Sequence, residues 1–305
     1  MKLFPGARIG ISALSGYVDN KDWFEEGLDN LRNLGLEPVI PKGLFRTKRY
    51  LGGGDLHRSS MLNALYADDD IDAIFFARGG TGVTRILDLL DWDTIRANPR
   101  VVMGYSDITA LHLAFWHKFR MVSFSGPMVC RGWDTAGTSA IESFTEILSG
   151  GLGCEWKFKK SEFRVYSGGV AEGRLIGGNL TVLCGMLGTR YMPPIKDAIL
   201  FIEEIMEEPE SVDRLLSQLK LSGILDNVNA ILLGDFSTCN SKGDKTGTDL
   251  RFALNSYFGN MNIPVVGGLP FGHIDDMIII PFGVKARIDT GRRTLTLLER
   301  AVKLR

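Results

Sequence analysis

Apolar residues fall along the 305-residue chain in short β-branched runs that alternate with longer stretches at helical spacing, the pattern of an α/β protein. Ala7–Ala13 reads as a first strand, a helix follows from about Asp19 with Trp23, Leu28 and Leu31 on one face, and Glu37–Ile40 reads as a second strand. This β-α-β opening predicts a parallel sheet with right-handed crossovers. A helix over Leu56–Ala67 and a strongly apolar strand over Ile71–Ala77 come next. Then follow a helix bearing Val83, Ile86, Leu87 and Leu90, a buried strand at Val101–Met103, a helix carrying Ile108, Leu111, Phe115 and Phe119, and a strand within Phe119–Pro127. The periodicity weakens from Val129 to about Ser167, which places an interdomain crossover there. Beyond it, a Gly177-Gly178-Asn179 turn leads into a helix, and Ala198–Ile202 forms a buried strand ending in Glu203-Glu204. A helix over Ser211–Leu221 is capped by Ser211, strands occupy Ala230–Leu233 and Pro264–Gly267, and the tail from Val284 alternates like a hairpin with its turn at Thr290-Gly291. The expected division is 1–135, a crossover over 136–167, and 168–305.

Composition narrows the function classes. Charged residues make up 23% of the chain and the formal net charge is -1, which argues against a nucleic-acid or polyanion binder. No apolar run approaches the roughly 18 residues that span a bilayer, so no membrane partner is expected. The N-terminal MKLFPGARIGIS lacks the apolar core of a secretory signal. Cys130, Cys154, Cys184 and Cys239 form no C-x-x-C pair, consistent with reduced thiols in a cytoplasm and with neither a zinc site nor a disulfide scaffold. The first strand-helix turn, Ser12–Gly16, has no G-x-G-x-x-G dinucleotide fingerprint.

Candidate chemistry begins where the strand Val101–Met103 runs through Gly104-Tyr105-Ser106-Asp107 straight into a helix. That geometry lifts Ser106 out of the sheet edge at a helix N-terminus, where free N–H groups and the dipole favour negative charge. An acyl-transfer enzyme needs such a place for an oxyanion. Ile108 stands where the strict G-x-S-x-G pattern has its second glycine, and on this stretch alone a helix cap is the commoner role for such a serine. Arg78-Gly79-Gly80-Thr81-Gly82 follows another buried strand. It serves as an anion cradle, as a loop whose amides face the Ser106 turn, or as a plain tight turn.

A serine nucleophile needs a base. Of four histidines, His112 lies more than a turn along the same helix, His117 sits near that helix's end, and His57 starts a helix after a glycine run. His273 follows a glycine in a loop, the kind of place that presents catalytic groups. Glu203 and Glu204 end a buried strand; alternation sends them to opposite faces, so one faces the site unless both simply end in solvent.

Several segments in order resemble the LD-carboxypeptidase (muramoyltetrapeptide carboxypeptidase) family of serine peptidases, which also includes microcin C immunity-type hydrolases. They are ARGGTGVTRILDLLDW at 77–92, GYSDITALH at 104–112, SGP at 125–127, IGGNL at 176–180, FIEE at 201–204 with VDRLL at 212–216, and GLPFGH at 268–273 with PFG at 281–283. The resemblance implies an N-terminal flavodoxin- or Rossmann-like parallel domain and a smaller C-terminal α/β domain with a mixed sheet. It implies Ser106 as nucleophile, Glu203 as orienting carboxylate and His273 as general base, with an oxyanion hole from the main-chain N–H groups of Asp107 and Gly80. It further implies a cytoplasmic homodimer, without metal or cofactor, that removes terminal D-alanine from murein tetrapeptides. Thr81 and Leu14 depart from the family, which has an aromatic residue and a proline there. Arg78, with the adjoining Gly79, is by position the candidate for holding the substrate carboxylate, the alternative for Arg78 being a structural ion pair. A nucleotide-like substrate would want an aromatic shelf, for which Trp133, Trp156 and Tyr166 are available without a marking pattern. The alternatives are a microcin C immunity-type hydrolase of aminoacyl-nucleotide analogues and a non-catalytic two-domain binding protein.

Overall fold

Strands that are apolar on both faces need helices above and below them, and the chain supplies both in alternation. The computed structural model describes residues 5–148, 150–241 and 248–302. It runs β1 (Arg8–Ser12), α1 (Lys21–Asn33), β2 (Glu37–Val39), α2 (Asp55–Ala67), β3 (Ala73–Phe76), α3 (Trp92–Ala97), β4 (Val101–Met103), α4 (Thr109–Phe119) and β5 (Ser123–Ser125). It continues through α5 (Thr138–Leu148), β6 (Glu155–Lys157), β7 (Arg164–Ser167), β8 (Val170–Asn179), α6 (Leu180–Met186), β9 (Ala198–Glu203), α7 (Pro209–Leu221), α8 (Ile224–Asn227) and β10 (Ala230–Leu233). Last come α9 (Thr248–Phe258), β11 (Val265–Gly267), β12 (Ile280–Phe282), β13 (Lys285–Asp289) and β14 (Thr294–Leu297).

Among the described residues, one six-stranded sheet has the order β12-β5-β4-β3-β1-β2 and one eight-stranded sheet the order β6-β14-β13-β8-β9-β10-β11-β7. In the first, β1 to β5 are mutually parallel and β12 lies antiparallel on the edge. In the second, β8 to β11 are parallel and the flanking strands antiparallel. The architecture is the expected α/β class. β3, β4, β9 and β10 are buried at every position, as parallel strands covered on both faces must be.

Several elements differ from the reading of the pattern. The stretch expected as a crossover carries α5 and the strands β6 and β7, which form the two outer edges of the second sheet. Both are exposed or half-buried along their length, so they lack an apolar run that would mark them. The helix expected at Val83–Leu90 is instead two 3₁₀ turns, Val83–Arg85 and Leu87–Leu89. Apolar spacing of three and four residues satisfies both periods, and Asp91 then caps a fresh helix by accepting from the Thr94 amide. Ser211 is not a cap: α7 starts two residues earlier with Pro209, whose fixed φ suits a first helical turn. Gly177, Gly178 and Asn179 end the long strand β8 rather than forming a turn, and Asn179 caps α6 through its side chain. On α1 the buried face is Phe24, Gly27, Leu28 and Leu31; Trp23 is only half-buried and carries the Arg131 guanidinium 4.0 Å above its ring.

Candidate active site

Four chain segments meet at the carboxyl ends of the first sheet's strands, where open α/β sheets hold ligands. After β4 the backbone turns so sharply that Ser106 adopts a left-handed φ of 60° before the 3₁₀ turn Ser106–Ile108 and α4. That conformation is costly for a non-glycine residue and is typically kept at functional sites. Ser106 caps nothing with its side chain. Its hydroxyl lies 3.2 Å from His273 Nε2, and His273 Nδ1 lies 2.7 Å from Glu203 Oε2. With Nδ1–H donating to the carboxylate, Nε2 is the acceptor for the Ser106 hydroxyl. Such a line can move the hydroxyl proton onto the imidazole and stabilise the cation that results.

Glu203 ends β9 and is 3% exposed. Burial pushes its carboxyl above the usual carboxylate range, against the pull of its hydrogen bond to His273. Gly272 has a φ of 105°, and a Cβ there would sit 2.8 Å from Glu203 Cβ and 2.9 Å from Oε2, so this glycine lets the His273 loop close onto Glu203. The Tyr105 ring packs edge-on against the His273 ring at 4.8 Å, and its hydroxyl donates to the Arg131 carbonyl. The sequence alone gave no reason to single out Tyr105 beyond its place beside Ser106.

Alternation turns Glu204 to the other face, but it does not reach solvent. Its carboxylate accepts from Asn179 Nδ2 (2.9 Å), the Thr181 amide (2.8 Å) and the Ile205 amide (2.9 Å). The Asn179 amide in turn donates to Thr109 Oγ1 at the start of α4, which ties β8 to the helix behind Ser106.

The glycine loop lies against the serine. A Cβ on Gly79 would meet Ser106 Oγ at 3.1 Å, and Gly80, with a φ of 126°, packs against the Ser15-Gly16 turn. Arg78 is in an ion pair with Asp19 and also donates to the Tyr17 carbonyl, so its charge is already matched. The Asp107 side chain points away from solvent to Ser15 and Val83. Among the remaining histidines, His112 is buried between Ser123 Oγ and the Gly104 carbonyl, His57 contacts the Gly43 carbonyl, and His117 is exposed. None of these three contacts Ser106. Trp133 is fully buried, and Tyr166 is half-buried with the Arg164 guanidinium 4.6 Å from its ring. Among the described residues, no group of three or more His, Cys, Asp or Glu could hold a metal, and no helix is long and apolar enough to cross a membrane.

Two family models match in succession: an LD-carboxypeptidase N-terminal domain over residues 9–126 and an LD-carboxypeptidase C-terminal domain over 172–288. A Bacillus subtilis protein named "Probable murein peptide carboxypeptidase" is 33% identical, over 96% of this chain and 92% of its own length. The chain belongs to the LD-carboxypeptidase family. The chain is also similar to the microcin C7 self-immunity protein MccF of Escherichia coli, with 31% identity over 94% of the chain and 91% of MccF. The structure of MccF in complex with glutamyl sulfamoyl guanosine matches with a TM-score of 0.90 and 30% identity, covering 99% of this chain and 98% of that one. The muramoyltetrapeptide carboxypeptidase of Oxalobacter formigenes matches with a TM-score of 0.83 and 32% identity, covering 95% and 98%. The two family models hold Ser106 in the first and Glu203 and His273 in the second.

Proposed function

We propose that the protein is a serine-type LD-carboxypeptidase that hydrolyses the amide between an L-configured centre and the terminal D-alanine of a murein tetrapeptide. The observation that carries this reading is the continuous line from Ser106 Oγ through His273 to Glu203, at 3.2 and 2.7 Å. In it, Ser106 Oγ attacks the scissile carbonyl carbon as its proton passes to His273 Nε2. The tetrahedral oxyanion takes hydrogen bonds from the Asp107 and Gly80 main-chain N–H groups. His273 then gives its proton to the departing amine, which leaves as D-alanine, and an acyl group remains on Ser106. Water, deprotonated by the same imidazole, releases the shortened peptide and restores the serine. Glu203 keeps Nδ1 protonated and opposes the imidazolium charge throughout. Cytoplasmic location and a homodimeric state are carried over from the family resemblance.

The test is D-alanine release from a murein tetrapeptide by the purified protein and by Ser106→Ala, which removes a single oxygen and leaves the fold intact. A variant that keeps most of the wild-type kcat/KM would refute the assignment. A second reading has its own support in the similarity to MccF, whose complex holds an aminoacyl-sulfamoyl nucleoside. The same preparation assayed with an aminoacyl-sulfamoyl nucleotide separates the two. Cleavage of that compound with no D-alanine release favours the immunity-type hydrolase.

A further inference from the structure

A buried carboxylate beside the serine is left unused by the proposed mechanism. Asp107 contributes its amide to the oxyanion site, yet its side chain is also buried and bonded. Oδ2 accepts from the Ser15 hydroxyl at 2.6 Å and from the Val83 amide at 2.9 Å. Ser15 and Asp107 are 0% and 4% exposed. Ser15 follows β1, Val83 follows the glycine loop after β3, and Asp107 follows β4. One oxygen therefore joins three strand-end turns.

An opposite charge holds the same turns from the neighbouring residues. Arg58, on α2, is fully buried, and its guanidinium donates to the Leu14 carbonyl and to the Gly82 carbonyl at 2.9 Å. Leu14 precedes Ser15 and Gly82 precedes Val83. The cation thus grips the carbonyl of one residue, and the anion grips the donor of the next, on both turns. Asp55 fixes the guanidinium from the side at 2.7 Å. Burial pushes the Asp107 carboxyl upward while the Arg58 charge pulls the other way. What these grips enclose is the segment facing Ser106: Gly16 N–H donates to the Gly79 carbonyl at 3.0 Å, and Gly79 lies against Ser106 Oγ.

We infer that Asp107 and Arg58 are positioning residues, a two-charge clamp that sets the Gly80 amide at the distance from Ser106 that the oxyanion requires. The inference rests on the Ser106 reading above. Its physical basis is that an oxyanion donor acts only when held in place before charge develops. A drift of about 1 Å at such a site costs about 100-fold in rate. Binding of the uncharged ground-state carbonyl depends far less on that placement, so the clamp should show in kcat and not in KM.

The decisive variants are Asp107→Asn, which keeps the main-chain amide and the shape but removes the charge from the oxygen that both donors share, and Ser15→Ala, which removes one donor. Each is compared with wild type by tetrapeptide kinetics and by the rate of covalent labelling with a peptidyl phosphonate, which mimics the tetrahedral state. Rates are normalised to the folded fraction from circular dichroism. The expected result for Asp107→Asn is a kcat lower by about 10- to 100-fold, KM within about 2-fold of wild type, and labelling slowed in parallel. Ser15→Ala should show a smaller loss of the same kind, and the double variant should be no worse than Asp107→Asn alone. Wild-type kcat in either single variant, or a loss that disappears on normalisation, overturns the clamp. So does a rise in KM at unchanged kcat. If Asp107→Asn does not fold, Ser15→Ala decides by the same criteria. A wild-type protein that hydrolyses nothing would overturn the Ser106 reading and the clamp with it, whereas an active wild type with a normal Asp107→Asn overturns the clamp alone.

Discussion

His112 should make the stability of the protein fall as the solution is acidified from neutrality, by an amount its surroundings set. It is 1% exposed, with Nε2 2.8 Å from the Gly104 carbonyl and Nδ1 2.8 Å from Ser123 Oγ. A carbonyl only accepts, so Nε2 carries the proton and the Ser123 hydroxyl donates to Nδ1; both ring nitrogens are satisfied in the neutral form. Burial pushes the pKa down to about 4, against the Gly104 bond that raises it. The unfolded chain, near 6.5, therefore binds the proton that the folded chain refuses, and stability falls with falling pH between those values. The loss, relative to high pH, is about 2 kcal/mol at pH 5 and about 3 kcal/mol at pH 4. Other groups titrate in this range, so the assay is a difference: urea unfolding of wild type and His112→Gln at pH 7 and pH 5. Gln supplies a donor and an acceptor without the titration. The wild type should lose about 2 kcal/mol more than the variant over that interval. Equal pH dependence in the two proteins would refute the reasoning.

Glu203→Gln should lower kcat by about 10⁴-fold, the scale of loss when an amide replaces the carboxylate that orients a catalytic imidazole, because its NH₂ favours the wrong His273 tautomer; activity within tenfold of wild type would remove Glu203 from the mechanism. Glu204→Gln should act on stability instead, costing about 1–3 kcal/mol, because a third of its bonds must face an NH₂ that cannot accept. Unfolding by urea at wild-type concentrations would show that its three hydrogen bonds carry no weight. Gly272→Ala should cut kcat by about 100-fold and destabilise the chain by about 1–3 kcal/mol, since the new methyl meets Glu203 and the φ of 105° disfavours it. Normal kinetics in that variant would mean the loop re-forms around the methyl.

The parts of this structure that were legible in the sequence are those where burial and geometry act locally. β3, β4, β9 and β10 announce themselves because both faces are covered and every residue but Glu203, the last of β9, is apolar. The bend at Ser106 is visible because only Gly104 and Tyr105 separate the strand from the helical turn that Ser106 opens, and the opposite facing of Glu203 and Glu204 follows from a period of two. That His273 rather than His57 meets Ser106 came from family resemblance, since both histidines lie near glycines, His273 directly after Gly272 and His57 separated by two residues from the Gly52-Gly53-Gly54 run, and local pattern does not decide between them. Long-range arrangements left no mark. Arg58 is a charged residue in the first turn of a helix, and nothing in its neighbours shows that it is fully buried between two turns. β12 is three residues long with Pro281 at its centre, a composition tolerated only because the strand is a sheet edge. Position beside the glycines could not decide between a substrate contact and a structural ion pair for Arg78, whose partner Asp19 lies far away in sequence.

The membership of β12 explains how a loop histidine is held in register with a serine on another part of the fold. The segment carrying His273 leaves β11 in the second sheet and enters β12 in the first, where Ile280, Pro281 and Phe282 pair with Ser125, Phe124 and Ser123. It is therefore anchored to both sheets at its two ends. Between them, the Leu269 amide donates to the Leu233 carbonyl and the Asp235 amide to the Phe271 carbonyl, which fixes the loop to the end of β10. On the far side, the Asp276 carboxylate accepts from the Ser139 and Ala140 amides at 3.2 and 3.0 Å, at the start of α5, and the Ile279 amide donates to Ser143 Oγ on that helix. A carboxylate at a helix N-terminus takes up amides that have no partner within the helix. The stretch with the weakest pattern in the sequence thus supplies the helix that pins the His273 loop. Phe282 closes the arrangement by packing against Phe201, two residues before Glu203. The hydroxyl, the imidazole and the carboxylate come from three separate segments, and this single tethered loop touches the supports of all three.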